Sequence, residues 1–279
     1  MNKYIEYSYT EQYLIFGKFI SVFAKYPSFV NELNEFLEPS HTEYATPHFE
    51  LFTNLQHTHR YLFRTRPNDS DTGMKYMENG HLVEWNFQTP PFPPYESEIF
   101  SGKILALHGA AVMDKQRKVT LILGIKGSGK TTISSYLVNT NGMSFLTDET
   151  AIIASGTDFV YPFPRKILPR EVEKGNIIKN AYPAKDFMAN ISSVGGLVES
   201  VVFLNPVENC DQFEVHSLNV HKAMTKLMEN FQYIGTNIFD GIESFHLLST
   251  KNSKELTYKS GDFSELKKGI ECLWPNINN

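Results

Sequence analysis

The sequence predicts an α/β fold preceded by a smaller α+β region. Two observations lead to this prediction. Short β-branched and aliphatic runs alternate with helix-compatible segments in the second part of the chain, and the proline-rich segment Thr89–Pro94 (TPPFPP) precedes that part. Four prolines in six residues cannot continue a helix or a central strand. We therefore predict an N-terminal α+β region over residues 1–95 and an α/β domain over residues 96–279.

The N-terminal region shows helical spacing first and strand signals later. Its apolar residues recur at three- and four-residue intervals, which predicts two helices, the second ending before Pro39. The first helix would carry Phe16, Phe19, Ile20 and Phe23, and the second Phe29, Val30, Leu33, Phe36 and Leu37. Strand-like sequence follows over Arg60–Arg66. Asn79-Gly80 then predicts a two-residue hairpin turn, because both of its positions require a positive φ.

The second part predicts alternating strands and helices. An apolar run at Val119–Leu123 predicts a strand that ends in a glycine loop, and a helix over Thr131–Val138 follows it. The remaining expectations are strands at Met143–Thr147, Leu197–Leu204, Phe245–Ser249 and Leu256–Lys259, with helices at Val220–Phe231 and Phe263–Leu273. Asp262 is a candidate N-cap for the last helix.

Composition excludes several classes of protein. Of the 279 residues 41% are apolar and 20% charged, as in a soluble globular chain. The formal net charge of −5 argues against a nucleic-acid partner, which usually requires a basic excess. Cys210 and Cys272 suggest no disulfide framework. The most apolar N-terminal run, Tyr13–Ala24, contains Lys18 and is too short to span a bilayer, so we expect a cytoplasmic protein without a membrane partner.

The segment from Gly124 to Thr131, GIKGSGKT, matches the pattern G-x-x-x-x-G-K-[ST] at every fixed position. Glycines let the backbone curl so that N–H groups surround phosphate oxygens, and the following helix adds its positive end. Lys130 can reach the outer phosphates and the Thr131 hydroxyl can bind Mg²⁺. The candidate nucleotide-binding residues are Gly124, Lys126, Gly127, Ser128, Gly129, Lys130, Thr131 and Thr132. For Lys126 we favour a solvent-facing side chain over a phosphate contact.

A phosphate-binding loop of this kind also needs a carboxylate near Mg²⁺ at the end of a neighbouring strand. The segment FLTDE supplies Asp148 and Glu149 directly after a short apolar run. The alternative is that both carboxylates are solvated at a strand end. Farther along, Arg165 lies in a proline-punctuated loop that either closes over the phosphates or is simply solvated. Together these residues predict binding of a nucleoside triphosphate, most simply ATP, with Mg²⁺.

Several motifs together resemble the catalytic domain of the HPr kinase family and its shorter relatives. Residues 100–279 contain, in the family's order and with similar spacing, Leu107-His108-Gly109, the strand VTLIL, the loop GIKGSGKT and the strand FLTDE. A proline-rich VYPFPRKILPR and a later apolar strand follow, as in those relatives. The resemblance implies a P-loop kinase core with a mixed sheet, related to HPr kinase and phosphoenolpyruvate carboxykinase.

The resemblance also implies an activity and residue roles. It implies transfer of phosphate from ATP to a Ser or Thr hydroxyl, with Lys130 on the triphosphate, Asp148 as base and His108 beside it. Mg²⁺ would lie between Thr131 and a carboxylate, either Asp148 or Glu149. Without the resemblance, His108 reads as a hydrogen-bonded histidine at the start of a strand.

The acceptor implied by the resemblance is a peptide or small protein, such as the precursor of a ribosomally made peptide product. Residues 1–95 would then recognise a peptide or partner. Members of that family often form oligomers, so the resemblance leaves open that this chain forms a homo-oligomer. The segment by which HPr kinases are recognised is missing, which argues against HPr as substrate. Two alternatives stay open: a kinase for a free serine or sugar-like metabolite, and a nucleotide-binding regulator without kinase activity.

Overall fold

The computed structural model describes most of the chain, which folds into two compact units, Met1–Ser101 and Gly102–Asn279. The described residues are 6–35, 37, 39–40, 46–57, 73–85, 100, 103–163, 167, 171–173, 176–178, 182–234 and 238–274. The predicted strand at Arg60–Arg66, the proline-rich segment Thr89–Pro94 and Arg165 lie outside these ranges.

The first unit contains one five-stranded sheet whose strands follow chain order, with one helix beside it. Its elements are β1 (Tyr9–Ile15), β2 (Lys18–Ala24), α1 (Pro27–Asn34), β3 (Phe49–Thr53), β4 (Met74–Glu78) and β5 (His81–Glu84). β2 and β3 pair in parallel and the other neighbours are antiparallel. The helix predicted to carry Phe29 to Leu37 is confirmed as α1, although it ends at Asn34, and the hairpin at Asn79-Gly80 is confirmed with φ values of 48° and 80°.

The helix predicted over Phe16–Phe23 is wrong. These residues turn from β1 into β2, with φ of 47° at Phe16 and 73° at Gly17. Side chains at Ile20 and Val22 are fully buried and belong to a strand paired on both sides, and not to a helix. The spacing of the aromatic residues fits a helix and a strand equally well over so short a run, and the Phe-Gly turn decides between them.

The second unit is built around a ten-stranded mixed sheet. Its first half contains β6 (Ile104–Leu107), β7 (Gly109–Met113), β8 (Lys118–Gly124), α2 (Lys130–Asn141), β9 (Ser144–Thr147), β10 (Ala151–Ala154), β11 (Phe159–Tyr161), β12 (Glu171–Glu173) and β13 (Asn176–Ile178). Its second half contains β14 (Gly196–Val207), β15 (Glu214–Ser217), α3 (Val220–Glu229), β16 (Phe231–Ile234), α4 (Ile238–Ser249), β17 (Asn252–Lys259) and α5 (Phe263–Leu273). β12 and β13 form a separate hairpin.

The strand order of the large sheet is β16-β6-β10-β11-β14-β8-β7-β9, with β17 against β14 and β15 against β17. β14 runs parallel to both β8 and β17, and these three strands form the centre. β7 is antiparallel to β8 and β9, so β8 and β9 point the same way and end at the same edge. This geometry fixes the position of the candidate site.

Both faces of the sheet are covered. On one face α3 and α4 pack through Leu227 and Leu248 against a cluster that includes Leu121 and Phe203. On the other face α2 and α5 pack through residues such as Leu137 and Leu266 against a second cluster. Burial on both sides explains why the central strands read as continuous apolar runs. The predicted elements from Val119 to Leu204 and the final helix are confirmed. The helix predicted over Val220–Phe231 is confirmed as α3, although it ends at Glu229 and Phe231 begins β16.

The strand predicted at Phe245–Ser249 is wrong, because these residues form the last turns of α4. Phe245, Leu248 and Ser249 are buried at helical spacing. A five-residue apolar segment does not by itself distinguish a buried strand from a buried helix. No helix within the described ranges is long and apolar enough to cross a membrane.

Candidate active site at the end of β8

The segment from Gly124 to Thr131, called the glycine loop below, leads from β8 into α2. Gly124, Gly127 and Gly129 have φ values of 153°, 88° and 79°, which residues with a Cβ rarely adopt. A Cβ at Gly129 would also lie 3.0 Å from Leu266 Cδ2. The glycines at these positions therefore let the chain turn tightly and place the start of α2 next to the end of the strand.

Among the residues that the structure describes, no side chain caps the start of α2. Its N-cap is Gly129, which has no side chain to accept from the first N–H groups. The Ser128 hydroxyl in the loop is buried and has no hydrogen-bond partner within the described part of the chain, a loss of about 1–3 kcal/mol when uncompensated. It faces Gly124, where an added Cβ would come within 2.7 Å of the oxygen. These groups are suited to an anion with several oxygens.

Lys130 is the cation of the loop. Its Nζ donates to the carbonyl oxygens of Gly124 at 2.6 Å and Ile125 at 2.9 Å, and its side chain is buried. Burial lowers the pKa of Lys130, while the nearby carboxylates Asp148 and Glu149 act in the opposite direction. The ammonium group is thus held by neutral carbonyls, a weaker partner than a phosphate oxygen would be.

Asp148 follows β9, at the edge where β8 also ends. Its Oδ2 accepts a hydrogen bond of 2.6 Å from Thr131 Oγ1, which joins two elements 17 residues apart. Burial raises the pKa of Asp148, and the hydrogen bond from Thr131 opposes that rise. A buried carboxylate and a hydroxyl in contact are hard oxygen ligands of the kind that Mg²⁺ prefers.

Glu149 differs from Asp148 in both exposure and backbone conformation. Its side chain is exposed and its φ is 71°, a left-handed conformation that is uncommon outside glycine. The turn directs its carbonyl oxygen toward His108, whose Nδ1 lies 3.0 Å away. The two adjacent carboxylates therefore face different surroundings.

His108 lies between β6 and β7 and is half-buried. Gly109 follows it because a Cβ there would lie 2.3 Å from Leu123 Cδ2, so glycine lets β7 approach β8. Burial lowers the pKa of His108, and the charge of Lys130 lowers it further. Gln232 Nε2 lies 3.2 Å from the same Nδ1 that faces Glu149. In a given tautomer Nδ1 either donates to the Glu149 carbonyl or accepts from Gln232, and the lowered pKa favours the neutral ring.

Asn230, at the end of α3, connects the histidine to the glycine loop. Its Oδ1 accepts from the backbone N–H of Gly124 at 3.0 Å, and its carbonyl oxygen accepts from the N–H of His108 at 2.6 Å. Its own amide donates to Lys226 O at 2.8 Å. One residue from a different part of the chain therefore sets the position of both features.

The structure brings Lys130, Thr131, Asp148, Glu149 and His108 into one site. Lys126 and Thr132 are exposed, and no described hydrogen bond or ion pair involves their side chains. Lys126 is still close enough to contribute to the lowered pKa of His108. Arg165 falls outside the described residues.

The site also contains three residues that the sequence did not predict. They reach it from the second half of the unit and are Asn230, Gln232 and Tyr258. Their contacts join residues 106, 124 and 130 positions apart. No local sequence pattern marks such pairs, so only the folded chain reveals them.

The residues present fit a phosphate chain with a hard divalent cation. No group of three His, Cys, Asp or Glu side chains with metal-binding geometry occurs among the residues that the structure describes. A cation here would thus rely on Thr131, Asp148 and ligands from outside the chain. Mg²⁺ is commonly held this way, by one or two protein oxygens together with phosphates and water.

Comparisons with known proteins give little further guidance. The sequence matches no protein-family model and no curated protein. One solved structure, of the HPr(Ser) kinase/phosphatase from Coxiella burnetii, has 13% sequence identity and a TM-score of 0.29. The match covers 61% of this chain and 88% of that one. A TM-score this low does not establish a common fold.

Proposed function

We propose that the chain catalyses ATP- and Mg²⁺-dependent phosphoryl transfer to a Ser or Thr hydroxyl of a peptide or small protein. The observation that carries the proposal is the 2.6 Å contact between Thr131 Oγ1 and Asp148 Oδ2 beside the glycine loop. Phosphoryl-transfer sites of this class hold the cation between a loop hydroxyl and a strand-end carboxylate.

The glycine loop would bind the triphosphate. The N–H groups at the uncapped start of α2 would face the phosphate oxygens, and Lys130 would move its Nζ from the carbonyls of Gly124 and Ile125 to the outer phosphates. The move of Lys130 is favourable because a charged phosphate oxygen replaces neutral carbonyl oxygens as its hydrogen-bond acceptor.

Thr131 and Asp148 would hold Mg²⁺, and Mg²⁺ when bound neutralises charge on the phosphates. The acceptor hydroxyl attacks the terminal phosphorus, the bond from that phosphorus to the oxygen of the ADP leaving group breaks, and the hydroxyl proton passes to the protein. Asp148 is the proposed acceptor of that proton, with His108 beside it. The lowered pKa of His108 favours a neutral imidazole, the form that can accept a proton, beside that carboxylate.

The test is acceptor-dependent labelling with γ-labelled ATP in wild-type protein and in Asp148→Asn. The acceptor panel contains HPr, candidate precursor peptides and free serine. We expect one acceptor to gain phosphoserine or phosphothreonine in the wild type. Asp148→Asn should lower that rate by at least about 100-fold and leave ATP bound, because the loop and Lys130 are unchanged. Mass spectrometry of the acceptor and equilibrium titration of ATP measure the two quantities separately.

The control variant is Asp186→Asn, which removes one carboxylate from an exposed turn and should transfer phosphate at the wild-type rate. Burial disfavours the charged form of Asp148, so the amide should not lower the temperature of unfolding. Undiminished transfer in Asp148→Asn would contradict the assigned role. Label on free serine alone would assign a small-molecule kinase, and tight ATP binding with no labelled acceptor would favour a nucleotide-binding regulator.

A further inference from the structure

The back of the glycine loop is held by a tyrosine from the far end of the chain. Tyr258, on β17, donates a hydrogen bond of 2.6 Å to the carbonyl oxygen of Ser128. The side chain of Tyr258 is 3% exposed, so no water can readily replace this donor. Burial raises the pKa of Tyr258 to about 12, and the hydroxyl therefore keeps its proton throughout the usual assay range.

The geometry of the peptide bond transmits this contact to the other side of the loop. In a trans peptide the carbonyl of one residue and the N–H of the next point in opposite directions. The Ser128 carbonyl points to Tyr258, so the N–H of Gly129 points away from β17. A Cβ at Gly129 would lie 3.0 Å from Leu266 Cδ2 and 3.6 Å from the Tyr258 oxygen, which places β17 and α5 behind the loop.

We propose that Tyr258 is a positioning residue that holds the N–H of Gly129 toward the phosphate side of the loop. This inference rests on the proposed function, because it needs a phosphate chain in the loop. The neighbouring residues make such support necessary: Gly127 and Gly129 flank Ser128, and glycine resists rotation of the adjoining peptides less than other residues do. Without the tyrosine hydroxyl the peptide between Ser128 and Gly129 can turn its N–H away from the ligand.

The test compares Tyr258→Phe with Tyr136→Phe in the full chain. Both variants lose one hydroxyl and keep the ring. Tyr136, on α2, donates to Glu271 on α5 and does not bond to the glycine loop, so it is a matched control. Isothermal titration with Mg·ATP, Mg·ADP and tripolyphosphate gives the dissociation constant and the binding stoichiometry, at a temperature where circular dichroism shows all three proteins folded.

We expect Tyr258→Phe to weaken all three ligands by the same factor, roughly five- to tenfold, with full stoichiometry. Tyr136→Phe should bind like the wild type. A general loss of structure would instead lower the stoichiometry at unchanged affinity and would overturn the positioning role. Wild-type affinity in Tyr258→Phe would also overturn it while leaving the nucleotide site intact. Failure of the wild type to bind any of the three ligands would refute the proposed function and this inference with it.

Discussion

Two helices of the same unit, α2 and α5, begin in opposite ways. α5 starts at Asp262, whose side chain accepts hydrogen bonds from the N–H groups of Ser264 at 3.0 Å and Glu265 at 3.2 Å. α2 starts at Gly129 with no side-chain cap, and its first residue is Lys130, a cation at the positive end of the helix dipole. Taken alone, the start of α2 is the less stable of the two.

The two helix starts also differ in how their hydroxyl groups are used. In α5 the hydroxyl of Ser264 also turns back to Asp262, at 2.8 Å, so the first turn satisfies itself. In α2 the corresponding hydroxyl, on Thr131, reaches out to Asp148 on another element. An uncapped helix start with a buried cation beside it is more favourable with an anion bound there than without one. The contrast between the two helix starts therefore supports the proposed nucleotide site independently of the motif.

The largest expected effect on phosphoryl transfer comes from removing the Thr131 hydroxyl at the start of α2. Thr131→Ala deletes a proposed Mg²⁺ ligand and leaves buried Asp148 without its partner, so we expect phosphoryl transfer to fall by about 100-fold. Thr131→Ser keeps the hydroxyl and should stay within about threefold of the wild type. Initial rates across a Mg²⁺ titration check both expectations. Equal rates in the Ala and Ser variants would show that the hydroxyl has no role.

The two ends of α2 offer a second, smaller test. Gly129 begins the helix with a φ of 79°, and Gly142 follows it with a φ of 65°. Alanine at either position should cost roughly 1–2 kcal/mol of stability for the left-handed conformation. Only Gly129→Ala also presses on Leu266 and shifts the loop, so it alone should weaken ATP binding, by about tenfold or more.

Gly142→Ala is the control, because a Cβ there meets nothing within 4 Å. Thermal unfolding and equilibrium titration of ATP separate the two effects. A loss of ATP affinity in both variants would mean that strain anywhere in α2 reaches the site. No loss in either would mean that the shape of the loop at Gly129 does not limit binding.

The parts of the fold that the sequence predicted well are those that depend on neighbouring residues. The run from β8 through the glycine loop to α2 is local, and so are the turn at Asn79-Gly80 and the N-cap Asp262. The Asp148 contact could be anticipated because a strand must return to the loop's edge after one helix.

The errors have a different physical origin. The aromatic residues of β1 and β2 satisfy helical spacing, and only the positive φ at Phe16 and Gly17, a property of the folded turn, shows that they form a hairpin. The supporting residues Tyr258 and Asn230 reach the site from sequence separations of 130 and 106 residues. Their roles depend on how β17 and α3 pack against the unit, which no local pattern encodes.

The smallest expected effect is at the start of α5, the helix that a side chain does cap. Asp262→Ala should lower the midpoint of thermal unfolding by a few degrees and leave ATP affinity unchanged, because its hydrogen bonds serve only the helix. The hydrogen bond from the Ser264 side chain, followed by that from the Glu265 backbone, lowers the pKa of Asp262 in the folded state. The stability that this shift contributes is complete above the ordinary pKa of an aspartate.

The stability that the lowered pKa of Asp262 contributes is lost as the pH falls through the pKa of the folded state. The difference in unfolding midpoint between the wild type and Asp262→Ala should therefore hold steady from about pH 7 to about pH 5 and narrow from there to about pH 3. Asp262→Asn keeps an acceptor oxygen without a titrating group, so its difference from Asp262→Ala should stay constant over the same range. If the wild-type difference stays constant as well, the ionised carboxylate is not what caps α5. Asp262 would then stabilise the start of α5 through its hydrogen bonds and not through its charge. The start of α5 would in that case give no support for a stabilising anion at the start of α2.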